Sequence, residues 1–351
     1  MDAVEQKVHE LKRTIQSFFA EGTLPIVGSG LSCAEGLPSM GQLADFLSRE
    51  ISKNPCLFSL PIWSEISHSL ALKIGLEETL LKHVPPPELE SEIIRLTTEF
   101  ILDKEIEVIT KVIVDNKQLR FAKLLQHVTI PNNGFPVVTT NYDRLIEVAC
   151  ETWGILVDDF FLGHTIGCID EIGCKHSFIR EIAATGKKIR LNNAKRIKLY
   201  KPHGSLDWYA YQKGPIRCSL PLPLPRLIIT PGFNKYRAGY EQPFDLHRDR
   251  GNEAIDNASR YLIIGYGFND RHLETHLLTE LKKGKPALII THSLSPNGQN
   301  IIDEFSNTNA LVFDEQGGQT GTLLLNNSKT DFYPGLNLWD LGELIKEALE
   351  P

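Results

Sequence analysis

Val137-Val138-Thr139-Thr140-Asn141-Tyr142-Asp143 ends an apolar strand on two threonines, an amide and a carboxylate, then runs straight into a helical pattern. Open α/β sheets carry their chemistry at such a point, where the carboxyl end of a strand meets the next element. Two other segments have the same form. Ile26-Val27-Gly28-Ser29-Gly30-Leu31-Ser32 is a strand entering a glycine turn, and Leu199-Tyr200-Lys201-Pro202-His203-Gly204-Ser205 presents a histidine before a glycine. Together they point to a nucleotide site whose working groups are an amide and an imidazole.

The surrounding pattern sets the fold class. Val4, Val8, Leu11, Ile15 and Phe18 recur at helical spacing, so residues 3–20 read as an amphipathic helix, its stripe more naturally core than partner-binding face. A short buried strand over 24–27 and a helix over 41–51 follow. Residues 52–128 then carry helical patterns with few β-branched runs, punctuated by Pro85-Pro86-Pro87, and read as a helical insertion. Strand 135–139 and helix 142–153 come next. The region 155–200 is irregular, with strands expected around Phe160 and over 197–200. Pro221 to Pro225 is extended, because alternating prolines favour polyproline geometry. Strand 226–230, helix 244–258, strand 261–265, a helix to Lys283, parallel strands at 286–291 and 310–313, and a closing helix near 338–349 complete the reading. Strands alternating with helices predict an α/β, doubly wound, mostly parallel Rossmann-like sheet with a helical insertion. The expected units are an N-terminal helix over 1–23, a sheet domain over 24–51 and 129–330, the insertion over 52–128 and a C-terminal helix over 331–351.

Composition bounds the function classes. A chain of 351 residues is long for one core, so it is one large domain with an insertion or two domains. A net charge of −7 argues against wholesale nucleic-acid binding, which needs a basic surface for phosphate contacts. A basic stretch, Lys187-Lys188-Ile189-Arg190 through Lys195-Arg196-Ile197-Lys198, reads first as a solvated loop and strand edge, and second as a substrate or partner contact. The six cysteines lack the paired spacing of a structural zinc site, and no zinc is expected. No secretory signal and no apolar run of membrane-spanning length is apparent, so the expectation is a cytoplasmic protein.

Each chemistry-bearing segment has an ordinary alternative. Glycines at 28 and 30 let a backbone approach a phosphate at a helix start, or they simply make a tight turn; a third glycine of the usual dinucleotide fingerprint is missing at Cys33. Asn141 offers a donor and an acceptor suited to a ribose hydroxyl or a water, and Asp143 an acceptor for a carboxamide; Thr140, Asn141 and Asp143 also suit a helix cap. His203 can serve as a general base or be structural. Gly265, closing a buried strand before Tyr266-Gly267-Phe268-Asn269-Asp270, can line an adenosine pocket or be a plain strand exit. Four such segments at successive strand ends are much harder to attribute to chance than any one.

In this order the residues resemble the sirtuin-like superfamily, specifically its shorter prokaryotic NAD-hydrolysing branch. Gly28-Ser29-Gly30-Leu31-Ser32 with Gly36-Leu37-Pro38-Ser39, then Thr140-Asn141-Tyr142-Asp143, Lys201-Pro202-His203-Gly204-Ser205 and Ile264-Gly265-Tyr266-Gly267-Phe268-Asn269-Asp270, are similar to the family's four motifs. The four-cysteine zinc ribbon of deacylating members is not matched: after the His-Gly segment this chain has only Cys218. Met40-Gly41 stands where those members carry Phe-Arg, and Pro202 replaces an apolar residue. The resemblance implies that Asn141 orients the ribose or the water and that His203 is the base. It implies NAD binding by Gly28, Ser29, Gly30, Ser32, Thr140, Asp143, Gly265 and Phe268, with NAD as substrate. It further implies an NAD⁺ glycohydrolase acting as an antiphage effector, a homo-oligomer, and a separately encoded activator such as a HerA-like DNA-translocating ATPase. Protein deacylation and non-catalytic NAD or ADP-ribose sensing are the competing readings.

Overall fold

The computed structural model describes residues 3–185, 188–230 and 241–350. Along the chain come α1 (Ala3–Ser17), β1 (Thr23–Val27) and α2 (Ser29–Glu35), then six helices before the next strand. These are α3 (Met40–Ile51), α4 (Pro55–Phe58), α5 (Pro61–Ala71), α6 (Leu76–Lys82), α7 (Pro87–Val114) and α8 (Arg120–His127). There follow β2 (Phe135–Thr139), α9 (Leu145–Thr152), β3 (Leu156–Asp158), β4 (Phe161–Leu162), β5 (Gly167–Ile169), α10 (Glu171–Ser177), β6 (Ile179–Thr185), β7 (Lys188–Asn193), β8 (Arg196–Tyr200), β9 (Gly204–Tyr209), β10 (Ile216–Arg217) and β11 (Arg226–Ile228). The last part holds α12 (Phe244–Asn257), β12 (Arg260–Ile264), α13 (Arg271–Lys282), β13 (Ala287–Thr291), α14 (Pro296–Glu304), β14 (Thr308–Gln316), β15 (Gln319–Asn326), β16 (Lys329–Pro334) and α15 (Leu341–Ala348).

Nine strands form the main sheet in the order β16-β15-β14-β13-β12-β1-β2-β8-β3. From β1 the chain builds outward through β2 and β8, then returns to β12 on the other side of β1. That reversal is the switch point where open α/β sheets form their crevice. Consecutive residues of the central strands serve opposite faces. Leu262, Ile264, Leu288 and Ile290 pack with α1, α8 and α15 residues, whereas Tyr261, Ile263, Ala287 and Ile289 pack with Leu273, Leu277 and Ile301 of α13 and α14. Covering both faces is why these strands are continuous apolar runs rather than alternating ones. Each fully buried aliphatic side chain contributes about 1.5–3 kcal/mol. Helices α3 to α7 enclose a further core built on Trp63, Ile66, Leu80 and Ile93. The stripe of α1 is core packing: Leu11, Ile15 and Phe18 are buried against the sheet.

Several expectations are corrected. Gly28 to Gly30 is not an open turn, since α2 begins at Ser29. The last parallel strands are β13 and β14, as expected, but the sheet continues beyond them: β14 turns at Gly317-Gly318 into antiparallel β15 and β16, which were not foreseen. A second sheet, β11-β9-β10-β5-β4, and the hairpin β6-β7 occupy much of the region read as irregular. Of the basic stretch, Lys187 lies outside the described residues. Arg196 is buried, 3.5 Å from Asp158 and stacked over Phe178, so there the charge is structural. Among the described residues, no helix is long and apolar enough to cross a membrane.

Candidate functional site

The site grows out of the end of β2. Thr140 N–H donates to Val27 O (3.2 Å), prolonging the β1–β2 pairing by one rung. Asn141 N–H then donates to Thr139 Oγ1 (3.1 Å), turning the chain out of the sheet and the Asn141 side chain toward β1. Its amide donates to Gly28 O (3.0 Å) and to Ser32 Oγ (2.9 Å). Because a carbonyl only accepts, this fixes which end of the amide is nitrogen. Both amide hydrogens are committed, and among the described residues nothing donates to Asn141 Oδ1. Ser32 Oγ in turn donates to Asp143 Oδ2 (2.7 Å), while Asp143 Oδ1 accepts from Leu145 N (3.1 Å). Asp143, one residue before the N-cap Arg144, thus holds the first N–H of α9 while it lines the cavity.

A buried lysine braces this turn from behind. Lys201, 1% exposed, donates from Nζ to Asp143 O (2.6 Å), Glu147 Oε1 (2.8 Å) and Ser205 Oγ (3.0 Å). Burial alone would lower its pKa, but the charges of Glu147, Asp207 and Asp143 raise it, so it stays a cation. Its own N–H is held by His247 Nδ1 (3.1 Å), a histidine that burial depresses to about 3 and keeps neutral. Leu206 N–H and Tyr142 O (3.0 Å) tie β9 to the same turn.

His203 follows β8, its O accepting from Ile229 N (2.9 Å) and its Nε2 paired with Asp270 Oδ2. Gly204 does more than relieve bulk beside the ring. Its φ is +85°, and a Cβ there would meet Leu227 O at 2.0 Å. Only glycine fits.

Asn141, His203, Asp143, Thr140, Ser32, Ser29 and Gly28 line one cavity of about 170 Å³. Tyr142, Tyr266, Gly267, Asn269, Asp270, Leu37 and Pro38 line it too, and Met40 and Leu43 of α3, Glu77 of α6 and Ile101 of α7 roof it from the helices inserted between β1 and β2. Gly30 and Gly265 do not line this cavity. They line a second one, of about 510 Å³, with Cys33, His292 and Trp339; Ser39 borders both. In it His292 stacks on Phe313 (centroids 4.8 Å apart) and meets Trp339 edge-on (5.1 Å). Phe268 lines neither. It is fully buried in the core beneath β12, edge-on to Tyr266 at 5.1 Å.

The glycines need a revised reason. Gly28 N–H and Gly30 N–H are not free for an anion: they donate to Ile264 O and Gly265 O, both at 2.9 Å. A Cβ on Gly28 would lie 2.5 Å from Gly265 O, and one on Gly30 2.6 Å from Gly265 Cα. These glycines let the β1–α2 junction touch the exit of β12 backbone to backbone.

Asp270, Lys201 and Tyr142 stand inside the quoted motifs without an assigned role, and Glu77 and His247 lie outside them. The available signal for Asp270 was a carboxylate immediately before a helix. Nothing in the sequence marked Glu77 or His247.

Sheet order, switch point and strand-end polar groups define an α/β protein of the Rossmann-like class. Residues 136–304, just under half of the chain, match the family model described as the SIR2-like domain. No curated protein matches the chain. Solved structures that resemble it include one titled "Structural Basis for the Mechanism and Regulation of Sir2 Enzymes", at 10% identity, with 98% of each chain covered and a TM-score of 0.43. Another, on the structural basis of sirtuin substrate affinity, is 14% identical, covers 93% of each chain and has a TM-score of 0.41. A complex of a Sir2 homologue with NAD is 12% identical, covers 86% of this chain and 87% of its own, and has a TM-score of 0.42.

Proposed function

We propose that this chain hydrolyses the N-glycosidic bond of NAD⁺, releasing nicotinamide and ADP-ribose. The observation that carries the reading is that Asn141 and His203, separate in sequence, line one small roofed cavity with Asp143 and Ser32. Asn141, its amide hydrogens held by Gly28 and Ser32, presents a carbonyl oxygen that can accept from a ribose hydroxyl or a water. His203 accepts the proton that this hydroxyl or water gives up. Positioning and proton transfer of this kind are each worth several powers of ten in rate. Asp143 and Thr140 hold the carboxamide end, Gly28 and Ser29 lie along the pyrophosphate, and the cavity at Gly30, Gly265, His292 and Trp339 takes the adenosine. Phe268 supports that cavity from the core rather than touching the nucleotide.

The roof supports water as acceptor: Met40, Leu43, Glu77 and Ile101 close over a volume of about 170 Å³. By its resemblance to the NAD-hydrolysing branch, the chain is a cytoplasmic antiphage effector that depletes NAD on activation. It acts as a homo-oligomer with a separately encoded activator such as a HerA-like ATPase, without zinc and without touching nucleic acid itself.

The test is nicotinamide release from NAD⁺ by the purified chain, with and without an acetylated peptide, beside Asn141→Ala and His203→Ala. Release without peptide, reduced about 10²–10⁴-fold in folded variants, is expected. Release only with peptide would assign a deacylase. Wild-type rates in both folded variants would overturn the residue roles, and NAD⁺ binding without release would leave a sensor.

A further inference from the structure

Asp270 is the one carboxylate directly bonded to the ring of His203 among the described residues, and no motif reading gave it a task. It comes from the loop between β12 and α13, 67 residues further along the chain, and lines the same cavity. Asp270 is itself held: its N–H donates to Glu274 Oε1 (2.7 Å), and its Oδ1 accepts from Leu273 N (3.3 Å) as α13 begins. Its Oδ2 faces His203 Nε2. A carboxylate can only accept, so Nε2 carries the ring proton and Nδ1 keeps its lone pair. Nδ1 has no protein partner among the described residues.

Resting on the glycohydrolase reading, we propose that Asp270 is the positioning residue of His203: it fixes the Nε2–H tautomer, leaves Nδ1 as the base and stabilises the imidazolium that forms. The step balances as follows. The C1′–N bond breaks with its electron pair going to nicotinamide, which leaves neutral, and water oxygen bonds to C1′. The water proton passes to Nδ1 and from there to solvent, giving nicotinamide, ADP-ribose and one proton. The other titratable groups around the ring are Tyr142 and Asp143 after β2, Tyr266 after β12, Glu77 on α6 and Glu274 on α13. Burial raises the pKa of both Tyr142 and Tyr266, which leaves them neutral across the working range.

Two readouts test this. In ring-nitrogen NMR of the full chain, with His203→Gln to assign the signal, wild type shows the Nε2–H tautomer and Asp270→Asn loses it. In nicotinamide release, Asp270→Asn lowers kcat about 10–100-fold, because the ring is no longer held in the productive tautomer. Asp270→Glu recovers part of the rate. An Nδ1–H tautomer in wild type, or an unchanged tautomer and kcat in Asp270→Asn, overturns the proposal. A wild-type chain that shows the Nε2–H tautomer but releases nothing overturns the glycohydrolase reading and leaves the positioning of His203 standing.

Discussion

The same central strands carry a cavity at each end, and the two are built differently. At the carboxyl ends the cavity of Asn141 and His203 measures about 170 Å³. At the amino ends, beside Thr23, Phe135 and Lys198, lies one of about 530 Å³. The larger is lined by surface ion pairs such as Arg250 with Glu171 (2.9 Å) and Glu253 (2.9 Å), their side chains partly exposed. The smaller is lined by buried groups wired to backbone: Asn141 to Gly28, Asp143 to Leu145, and Lys201 to Asp143 behind them. On the proposed function, volume does not mark the working end; rigid polar groups at the switch point do, because only they hold a reacting geometry without help from solvent.

That contrast can be broken most directly at the backbone contact that shapes the carboxyl end. Gly265 has φ +57°, and a Cβ there would meet Gly30 Cα at 2.5 Å. Gly265→Ala combines a left-handed alanine, about 1–2 kcal/mol, with overpacking against backbone, about 1–3 kcal/mol. Denaturant unfolding should show a loss of about 2–5 kcal/mol together with reduced nicotinamide release. A fully stable variant would mean the two turns need not touch.

A middle-sized effect belongs to His247, which braces Lys201. Its folded pKa is about 3 against an ordinary 6.5, so below 6.5 the unfolded chain binds a proton that the folded chain refuses. Stability is therefore intact above 6.5 and drains away as pH falls toward about 3. His247→Gln should flatten that dependence across the window; an unchanged slope of unfolding free energy against pH would show that other groups set it. The smallest effect is expected at the amino end. Arg250→Ala removes exposed ion pairs worth about 0–1 kcal/mol and should leave nicotinamide release within about twofold of wild type. A large drop in release would make the larger cavity functional and end the comparison.

The sequence disclosed what short-range physics controls. Runs such as Tyr261 to Ile264 and Val137 to Thr139 are apolar because both sheet faces are covered, and the polar groups ending them were visible at once. Hence the parallel sheet, the helices between β1 and β2, and the strand-end polar residues that the Asn141 cavity gathers were legible, whereas Glu77 and the role of Asp270 were not. Missed features depend on partners far along the chain. Strands β5 and β10 span two or three residues, too few to show a period, and acquire identity only by pairing with β4 and β9. The bond from Asp270 to His203 needs the crossing from β8 to β12 before the residues meet. Phe268 misled because an aromatic in a motif reads as a ligand contact, whereas its positive φ of 55° folds the ring into the core.

The commitment of both Asn141 amide hydrogens to Gly28 and Ser32 has an entropic consequence. A free asparagine side chain samples several rotamers, and freezing one on ligand arrival costs about 0.5–1.5 kcal/mol. Here the freezing is complete when the chain folds, so an arriving molecule meets an oxygen whose direction is already set. Loosening the hydrogen bond from Asn141 to Ser32 would return that disorder to the encounter and weaken binding through entropy alone.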